Sequence, residues 1–290
     1  MSVKKLFAFG YGSTAQALDR RLRAHGWQIA GTCRTAEKAA RLKEAGVEAW
    51  LLNEEERPGP EALDGATHLL ISAPPGADGD PVLPEMAEAI KAHGEAIEWI
   101  GYLSTTGVYG DRDGAEVTEE DAVRPTSERG RRRAEAEAAW LALGEETGIP
   151  VQVFRLAGIY GPGRNQIVSL RQGKARRIVK PGHVFSRIHV DDIAAVLEAS
   201  IGRPRAGGIY NVCDDEAAPP QDVVLFAADL AGLTPPPEIS LDAADLSPMA
   251  RSFYDETKRV SNARIKSELG VRLRYPTYRE GLRALFEAGA

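Results

Sequence analysis

Phe7-Ala8-Phe9-Gly10-Tyr11-Gly12-Ser13-Thr14-Ala15 is the stretch on which the reading of this chain turns. An apolar run gives way to a Gly-x-Gly-x-x-Ala turn and then to an amphipathic helical pattern. Gly10 permits the tight turn, Gly12 lets the backbone approach a pyrophosphate, and the small Ala15 lets helix pack close on strand. The helix start at Ser13, Thr14 and Ala15 offers unpaired N–H groups and the positive end of its dipole to phosphate. Two glycines alone are a weak signal; a strand before them and a helix after them make it specific. These residues predict an α/β domain that seats a dinucleotide pyrophosphate at the turn.

The pattern outward from the turn agrees. Apolar runs at Leu6–Phe9, Gln28–Gly31, Val47–Leu52, His68–Ser72, Ile97–Leu103 and Val151–Leu156 predict strands. Ala15–His25, Ala36–Ala45, Pro84–His93 and Ser127–Glu146 predict helices between most of them. Strands alternating with helices imply right-handed crossovers and a doubly wound parallel sheet covered on both faces. Phe185–His189, a helix over Asp191–Ile201 and a strand at Gly208–Val212 predict a return to the same sheet. Residues 1–166 with 184–213 are thus expected to form the dinucleotide-binding domain. Residues 167–183 with 214–290 are expected to form a small C-terminal lobe over the carboxyl ends of the strands, where open α/β sheets take ligands. In that lobe Ser261–Leu269 and Pro276–Glu287 predict short helices, whereas Ala217–Pro220, Thr234–Pro237 and Leu241–Met249 read as loop-forming or weakly patterned.

Composition bounds the partners. The 290 residues carry a net charge of −6, which argues against a nucleic-acid binder with its basic footprint. Cys33 and Cys213 are the only cysteines and show no metal-ligand spacing, so neither a disulfide framework nor a metal site is expected, and a reducing cytoplasm is. No stretch approaches the ~18 apolar residues of a membrane span. The expected partner is a polar or anionic small molecule.

The end of the second strand speaks to which dinucleotide binds. An NAD-preferring domain places a carboxylate about 20 residues beyond the turn, on the ribose 2′-hydroxyl. This chain reads Gly31-Thr32-Cys33-Arg34-Thr35, and its first carboxylate there is Glu37. Arg34 suits a 2′-phosphate, with Thr32 or Thr35 assisting, so NADP is expected ahead of NAD.

Four further motifs appear in order. Ser104-Thr105-Thr106-Gly107-Val108-Tyr109-Gly110 follows the fifth strand, and Phe154-Arg155-Leu156-Ala157-Gly158-Ile159-Tyr160-Gly161-Pro162-Gly163-Arg164 follows the sixth. Arg187-Ile188-His189-Val190-Asp191-Asp192-Ile193-Ala194 precedes a helix, and Ile209-Tyr210-Asn211-Val212 forms a late strand. With the glycine turn, this series resembles the extended short-chain dehydrogenase/reductase family, its NAD-dependent epimerase/dehydratase group, over most of residues 4–215. The resemblance implies a Rossmann-type sheet of about seven strands, a small substrate lobe, nucleotide-sugar-like substrates and a homodimer. It assigns Ala73, Pro74, Arg133 and Gly158 to the cofactor beside the turn residues and Arg34. Arg129, Arg164 and Arg187 fall to the substrate.

The family's catalytic set is a Ser or Thr after strand five and a Tyr-x-x-x-Lys pair on the next helix. Thr105 matches the first position. Arg129 stands in the Tyr position and Arg133 in the Lys position, and no Tyr-x-x-x-Lys occurs elsewhere. An arginine stays protonated and cannot shuttle a proton. Tyr109 and Tyr160, on nearby loops, are the candidate substitutes; packing the loops is their other reading. Glu128 with Arg132, Arg131 with Glu135, and Arg133 with Glu137 fall at i,i+4, the spacing of helix-stabilising pairs. Asp191 and Asp192 read as carboxylates at a helix start, and His189 as a structural histidine. Two readings stay open: an atypical NADP-dependent oxidoreductase or epimerase, and a non-catalytic dinucleotide-binding redox sensor or regulatory protein.

Overall fold

The computed structural model describes residues 3–289; Met1, Ser2 and Ala290, which the expected domain bounds include, lie outside the described residues. One large sheet contains β1 (Lys5–Phe9), β2 (Gln28–Cys33), β3 (Glu48–Leu51), β4 (His68–Ile71), β5 (Trp99–Thr105), β6 (Val151–Leu156) and β7 (Gly208–Val212). Their spatial order is β7-β6-β5-β4-β1-β2-β3. Strand β1 lies parallel between β2 and β4, with Phe7 opposite Ala30 on one side and Leu69 on the other. All five of its residues are buried, as a strand covered on both faces requires. The chain winds outward from β1 to β3 and then returns to β4, so the order reverses between β1 and β4. That reversal is where doubly wound sheets open a ligand crevice.

The crossover helices are α1 (Ser13–Arg23), α2 (Ala36–Glu44), α3 (Leu83–Ala92) and α4 (Glu128–Thr147). Strand β5 starts two residues later than expected because the Ile97 N–H is taken by the His93 carbonyl at the end of α3. It runs on to Thr105, which brings Ser104 and Thr105 onto its carboxyl end.

The chain divides into two compact units. The first comprises residues 1–105, 131–155 and 194–210; the second comprises 106–130, 156–193 and 211–290. In the first, Phe7, Phe9, Ile71, Tyr102, Trp140 and Val153 belong to one buried cluster. Trp140 donates its indole N–H to Asp80 at 3.0 Å, and the same carboxylate accepts the Val82 and Leu83 N–H groups at the start of α3. Glu137 does not stay on the helix surface to pair with Arg133. It is buried and takes a forked contact from the equally buried Arg155 of β6, at 2.8 and 3.2 Å. The planar guanidinium reaches across from the strand with two parallel N–H groups, a geometry that an i,i+4 neighbour on the same helix does not supply.

The second unit is built from short parallel pairs: Gly158–Tyr160 with Arg187–His189, Arg177–Val179 with Glu238–Ser240, and Glu116–Val117 with Arg259–Val260. The expected return of Phe185–His189 to the large sheet is therefore corrected, whereas Gly208–Val212 does return. The reason is local. The Gly158 N–H donates to Ser186, and a Cβ at Gly158 would stand 2.3 Å from the Phe185 ring, so the absence of a side chain lets the two segments close on each other. Helices Gln166–Arg171, Pro220–Ala231 and Tyr278–Glu287 pack around Tyr160, Ile167, Val223, Tyr278 and Leu282. The last begins with a reciprocal capping box between Thr277 and Glu280. Pro220–Ala231 extends a segment that the sequence marks only as a loop at its proline start, and Gly232 at φ 65° ends it. Among the described residues no helix is long and apolar enough to cross a membrane.

The forked pair yields a stability prediction. Glu137→Leu takes the forked carboxylate away from the buried Arg155 charge, and urea denaturation should show a loss of about 3–5 kcal/mol. Combining it with Arg155→Met should restore most of that loss, because an apolar pair of similar volume needs no partner charge.

Candidate functional site

In the first unit the site starts at Gly10, whose φ is +91°. A Cβ there would lie 2.8 Å from the Ala73 nitrogen, so the turn presses directly on the backbone leaving β4. Ser72 and Ala73 both donate their N–H groups to the Phe9 carbonyl at 2.8 Å. On the other side, the Gly10 N–H donates to the Thr32 hydroxyl at 2.8 Å and the Tyr11 N–H to the Thr32 carbonyl at 2.7 Å. Gly12 caps α1, and a Cβ at Gly12 would meet nothing within 4 Å. Open space therefore stands before the first N–H groups of the helix, at Ser13, Thr14 and Ala15, which have no intrahelical acceptor. Ala15 is fully buried beneath them. An open cradle, free N–H donors and a positive helix end fit a pyrophosphate. Ala73 and Pro74 lie where β4 ends beside this turn.

Two networks hold the turn rigid. The buried Tyr11 hydroxyl donates to Asp19, which also accepts from Arg23 one helical turn further along. Lys38, which the sequence reading missed, donates its ammonium to the Tyr11 carbonyl at 2.8 Å. Its place in the first turn of α2, four residues after Arg34, is the signal that could have found it. Arg34 is exposed, its side chain has no partner among the described residues, and its carbonyl is held by the Asn53 amide at 3.1 Å. The Thr32 hydroxyl accepts from the Gly10 N–H, and the Thr35 hydroxyl caps α2 by accepting from the Lys38 N–H at 3.3 Å; each keeps its own O–H as a donor.

The second unit holds a half-open cavity of about 670 Å³. Arg164, Lys174, Arg176 and Arg187 line it, with Phe185, Phe253, Tyr254 and Tyr278 as its aromatic walls. Among the described residues it has no Asp or Glu in its lining. Arg164 is carried by a turn in which the Gly161 and Arg164 N–H groups and carbonyls exchange hydrogen bonds at 2.9 and 3.1 Å. Arg187 is fixed by donating to the Phe185 and Ala218 carbonyls at 2.7 and 3.0 Å. Arg129 is exposed and stacks 6.0 Å over the Phe253 ring. Two of the three arginines expected to meet substrate thus line the cavity, and the third touches a residue of its wall.

Protein YeeZ of Escherichia coli (strain K12) is 30% identical over 291 aligned residues, covering 94% of this chain and 97% of that protein. The profile of the NAD dependent epimerase/dehydratase family matches residues 84–213. This chain belongs to that family. A functionally unknown conserved protein from Silicibacter pomeroyi DSS is 53% identical, with a TM-score of 0.91 over 99% of this chain and 100% of that one. The dTDP-glucose 4,6-dehydratase of Bacillus anthracis str. Ames, solved in complex with NAD, superposes with a TM-score of 0.77 over 99% of this chain and 97% of that one; at 16% identity it shows the shared fold.

At the positions where the resemblance to the family leads one to expect a tyrosine and a lysine, the chain carries Arg129 and Arg133. Arg133 is buried, donates to the Leu103 carbonyl and lies 6.0 Å over the Tyr102 ring. One of its N–H groups thus braces β5, while its Nε is buried without a hydrogen bond among the described residues. Thr105 is half-buried at the end of the same strand. At Gly158 the Phe185 ring occupies the space that a Cβ would need, and the residue lines the cavity of the second unit.

Neither substitute tyrosine is presented for proton transfer. Tyr109 is fully buried and donates its hydroxyl to Asn211 at 2.7 Å. The ring of Tyr160 lines the cavity, but its hydroxyl is buried without a hydrogen bond. That hydroxyl lies against Gly281, where a Cβ would come within 2.0 Å. Burial, with Asp214 and Asp192 adding to it, pushes the Tyr160 phenol above its ordinary range, so it keeps its proton. His189 packs between Tyr160 and Tyr275, with ring centroids at 5.2 and 4.2 Å, and burial pulls its pKa down to about 4. Asp192 does more than start a helix: it accepts the Arg274 and Tyr275 N–H groups at 2.7 and 3.1 Å.

The open face of Gly12 makes a clean test. A Cβ at Gly12 would meet nothing within 4 Å, so Gly12→Val should leave thermal unfolding nearly unchanged while filling the pyrophosphate cradle. Titration calorimetry should then show dinucleotide binding abolished; binding as tight as the parent's would place the site elsewhere.

Proposed function

We propose that this chain binds NADP in preference to NAD on its first unit and a phosphate-bearing, nucleotide-sugar-like ligand in the cavity of its second. It is an atypical oxidoreductase or epimerase that works without the tyrosine proton shuttle. The observation that carries this reading is the cavity itself. In a chain of net charge −6, four cations line one cavity with no carboxylate among them. Such a wall attracts anions and, with its aromatic rings, suits a ligand that joins phosphate to flat or apolar groups.

The dinucleotide cradle is supported by Gly10, Gly12 and the free N–H groups of Ser13 to Ala15, and the NADP preference by the unpartnered Arg34. When bound there, a nicotinamide supplies hydride transfer. The chain's own residues bind and orient. Arg164 and Arg187 hold anionic oxygens; Arg129 holds or polarises an oxygen but does not exchange its proton at neutral pH. General acid–base catalysis is worth ~10²–10⁴ in rate, so turnover with ordinary nucleotide-sugars is expected to be weak or undetectable. The second reading, a redox sensor that binds without turnover, is favoured by the burial of both candidate tyrosine hydroxyls.

Two measurements test these readings. Arg34→Ala should weaken NADP by about 10–100-fold in calorimetry and leave NAD nearly unchanged, since a charge-assisted hydrogen bond contributes about 1.5–3 kcal/mol. Equal losses for both would assign Arg34 to the fold or the pyrophosphate instead. In a nucleotide-sugar turnover assay, Arg129→Tyr/Arg133→Lys should gain activity over the parent if only the proton shuttle is missing. If parent and variant both bind and neither turns over, the sensor reading stands.

A further inference from the structure

His183 lies in the wall of the second unit's cavity and has no part in the reading above. Its Nδ1 shares a hydrogen bond of 2.8 Å with the Thr257 hydroxyl, and its Nε2 has no hydrogen-bond partner among the described residues. We infer that Nε2 of His183 meets an anionic oxygen of the cavity's ligand, and that the imidazole takes up one proton from solvent as this ligand enters. The inference rests on the anion-binding reading of the cavity and adds a contact whose charge the ligand itself brings about.

The ring is set in place before any ligand arrives. The Thr257 N–H donates to the Asp111 carboxylate at 2.7 Å, and the Thr257 carbonyl accepts from the Arg112 and Gly114 N–H groups at 3.1 and 2.9 Å. The Tyr254 ring packs on the imidazole, with centroids 5.3 Å apart, and burial raises its phenol so that it keeps its proton. A hydroxyl both donates and accepts, so the Thr257 bond serves the neutral and the charged imidazole alike. The surroundings then decide which form is present. Lys180, Arg187 and Lys258 stand around the ring, with Asp111 opposing them. Lys180 donates to the Tyr254 carbonyl at 2.5 Å, and Lys258 is paired with Glu256 at 2.7 Å. Burial first, and these cations second, pull the His183 pKa down to about 4, so the empty cavity holds a neutral imidazole. A phosphate-bearing ligand reverses the second cause. It sets negative charge among the cations and offers an acceptor that an imidazolium N–H meets better than a neutral one. By linkage, a ligand that raises this pKa binds more tightly as pH falls, and the gain is lost as pH rises through the bound-state pKa.

The competing role for His183 is to pack Thr257 against Tyr254, and it predicts a different result. The experiment is calorimetric titration of the full chain, as parent, His183→Gln and Arg164→Ala, with UDP-glucose and with sulfate. Buffers of different ionisation enthalpy count the protons taken up. Neither probe changes its own charge over the range used, about pH 5.5 to 8, where histidine titrates. If the ligand returns the imidazole to its ordinary pKa of about 6.5, the parent should bind about tenfold more tightly at about pH 5.5 than at about pH 8. It should also take up close to one proton per ligand at the lower pH. His183→Gln keeps a hydrogen-bond donor but gains no charge, so its affinity should be flat with pH and its proton uptake nil. A packing role alone would lower the unfolding temperature of His183→Gln and leave both readouts as in the parent. Uptake that persists in His183→Gln belongs to another group, such as His189, and overturns the inference. If the parent binds without proton uptake and Arg164→Ala loses that binding, the inference fails while the anion-binding reading survives. If the parent binds neither probe, both fall together.

Discussion

At Gly10 two stretches of backbone meet with no room for a side chain between them. The turn leaving β1 presses against the chain leaving β4, and a single added carbon would come within 2.8 Å of a peptide nitrogen. The contact lies where the order of the sheet reverses, so it couples the entry angle of α1 to the position of β4. Substituting Gly10 would both strain a backbone at φ +91° and force the strands apart. The cradle at Gly12, the burial of Ala15 and the Thr32 bond to the Gly10 N–H all depend on this closeness. Rigidity at the turn thus comes from steric exclusion first and hydrogen bonding second.

Sequence pattern read this part of the molecule well, because strand alternation, helix period and glycine spacing are local properties. It also singled out Arg164 and Arg187, and both line the cavity of the second unit. What it misread depends on partners distant in the chain. Glu137 has an arginine four residues before it but pairs with one eighteen residues later, because both are buried at a strand-helix interface that no helical-wheel argument contains. Phe185–His189 has the apolar texture of a sheet strand, yet pairs with Gly158–Tyr160, since only the missing Cβ of Gly158 makes room for Phe185. Lys38 was hidden because a lysine at a helix start looks like any solvated lysine until the Tyr11 carbonyl appears beside it. The cavity was illegible for a similar reason: its four cations all fall within residues 164–187, but the walls that complete it include Val223, Phe253, Tyr254, Tyr278 and Leu282, far along the chain.

Arg133 shows what an arginine does at a position where a lysine was expected. A lysine there would offer one flexible ammonium; the arginine spreads over Tyr102 and reaches the Leu103 carbonyl. With Arg129 on the Phe253 ring, both arginines have an aromatic ring 6.0 Å away. The same charge delocalisation that suits a guanidinium to aromatic faces keeps it protonated at neutral pH.

Tyr160 and Gly281 bring a constraint of another kind. The phenol oxygen occupies the space a methyl group would need at position 281, and two ring carbons lie 2.7 Å from the same point. The two positions are therefore tied by epistasis: an alanine at 281 is harmful while the tyrosine remains and becomes tolerable only after the ring has been replaced by something smaller. A lineage drifting through this part of sequence space has one open order of substitution and one closed, so glycine at 281 should persist wherever an aromatic residue persists at 160, whatever ligand the neighbouring cavity has come to prefer.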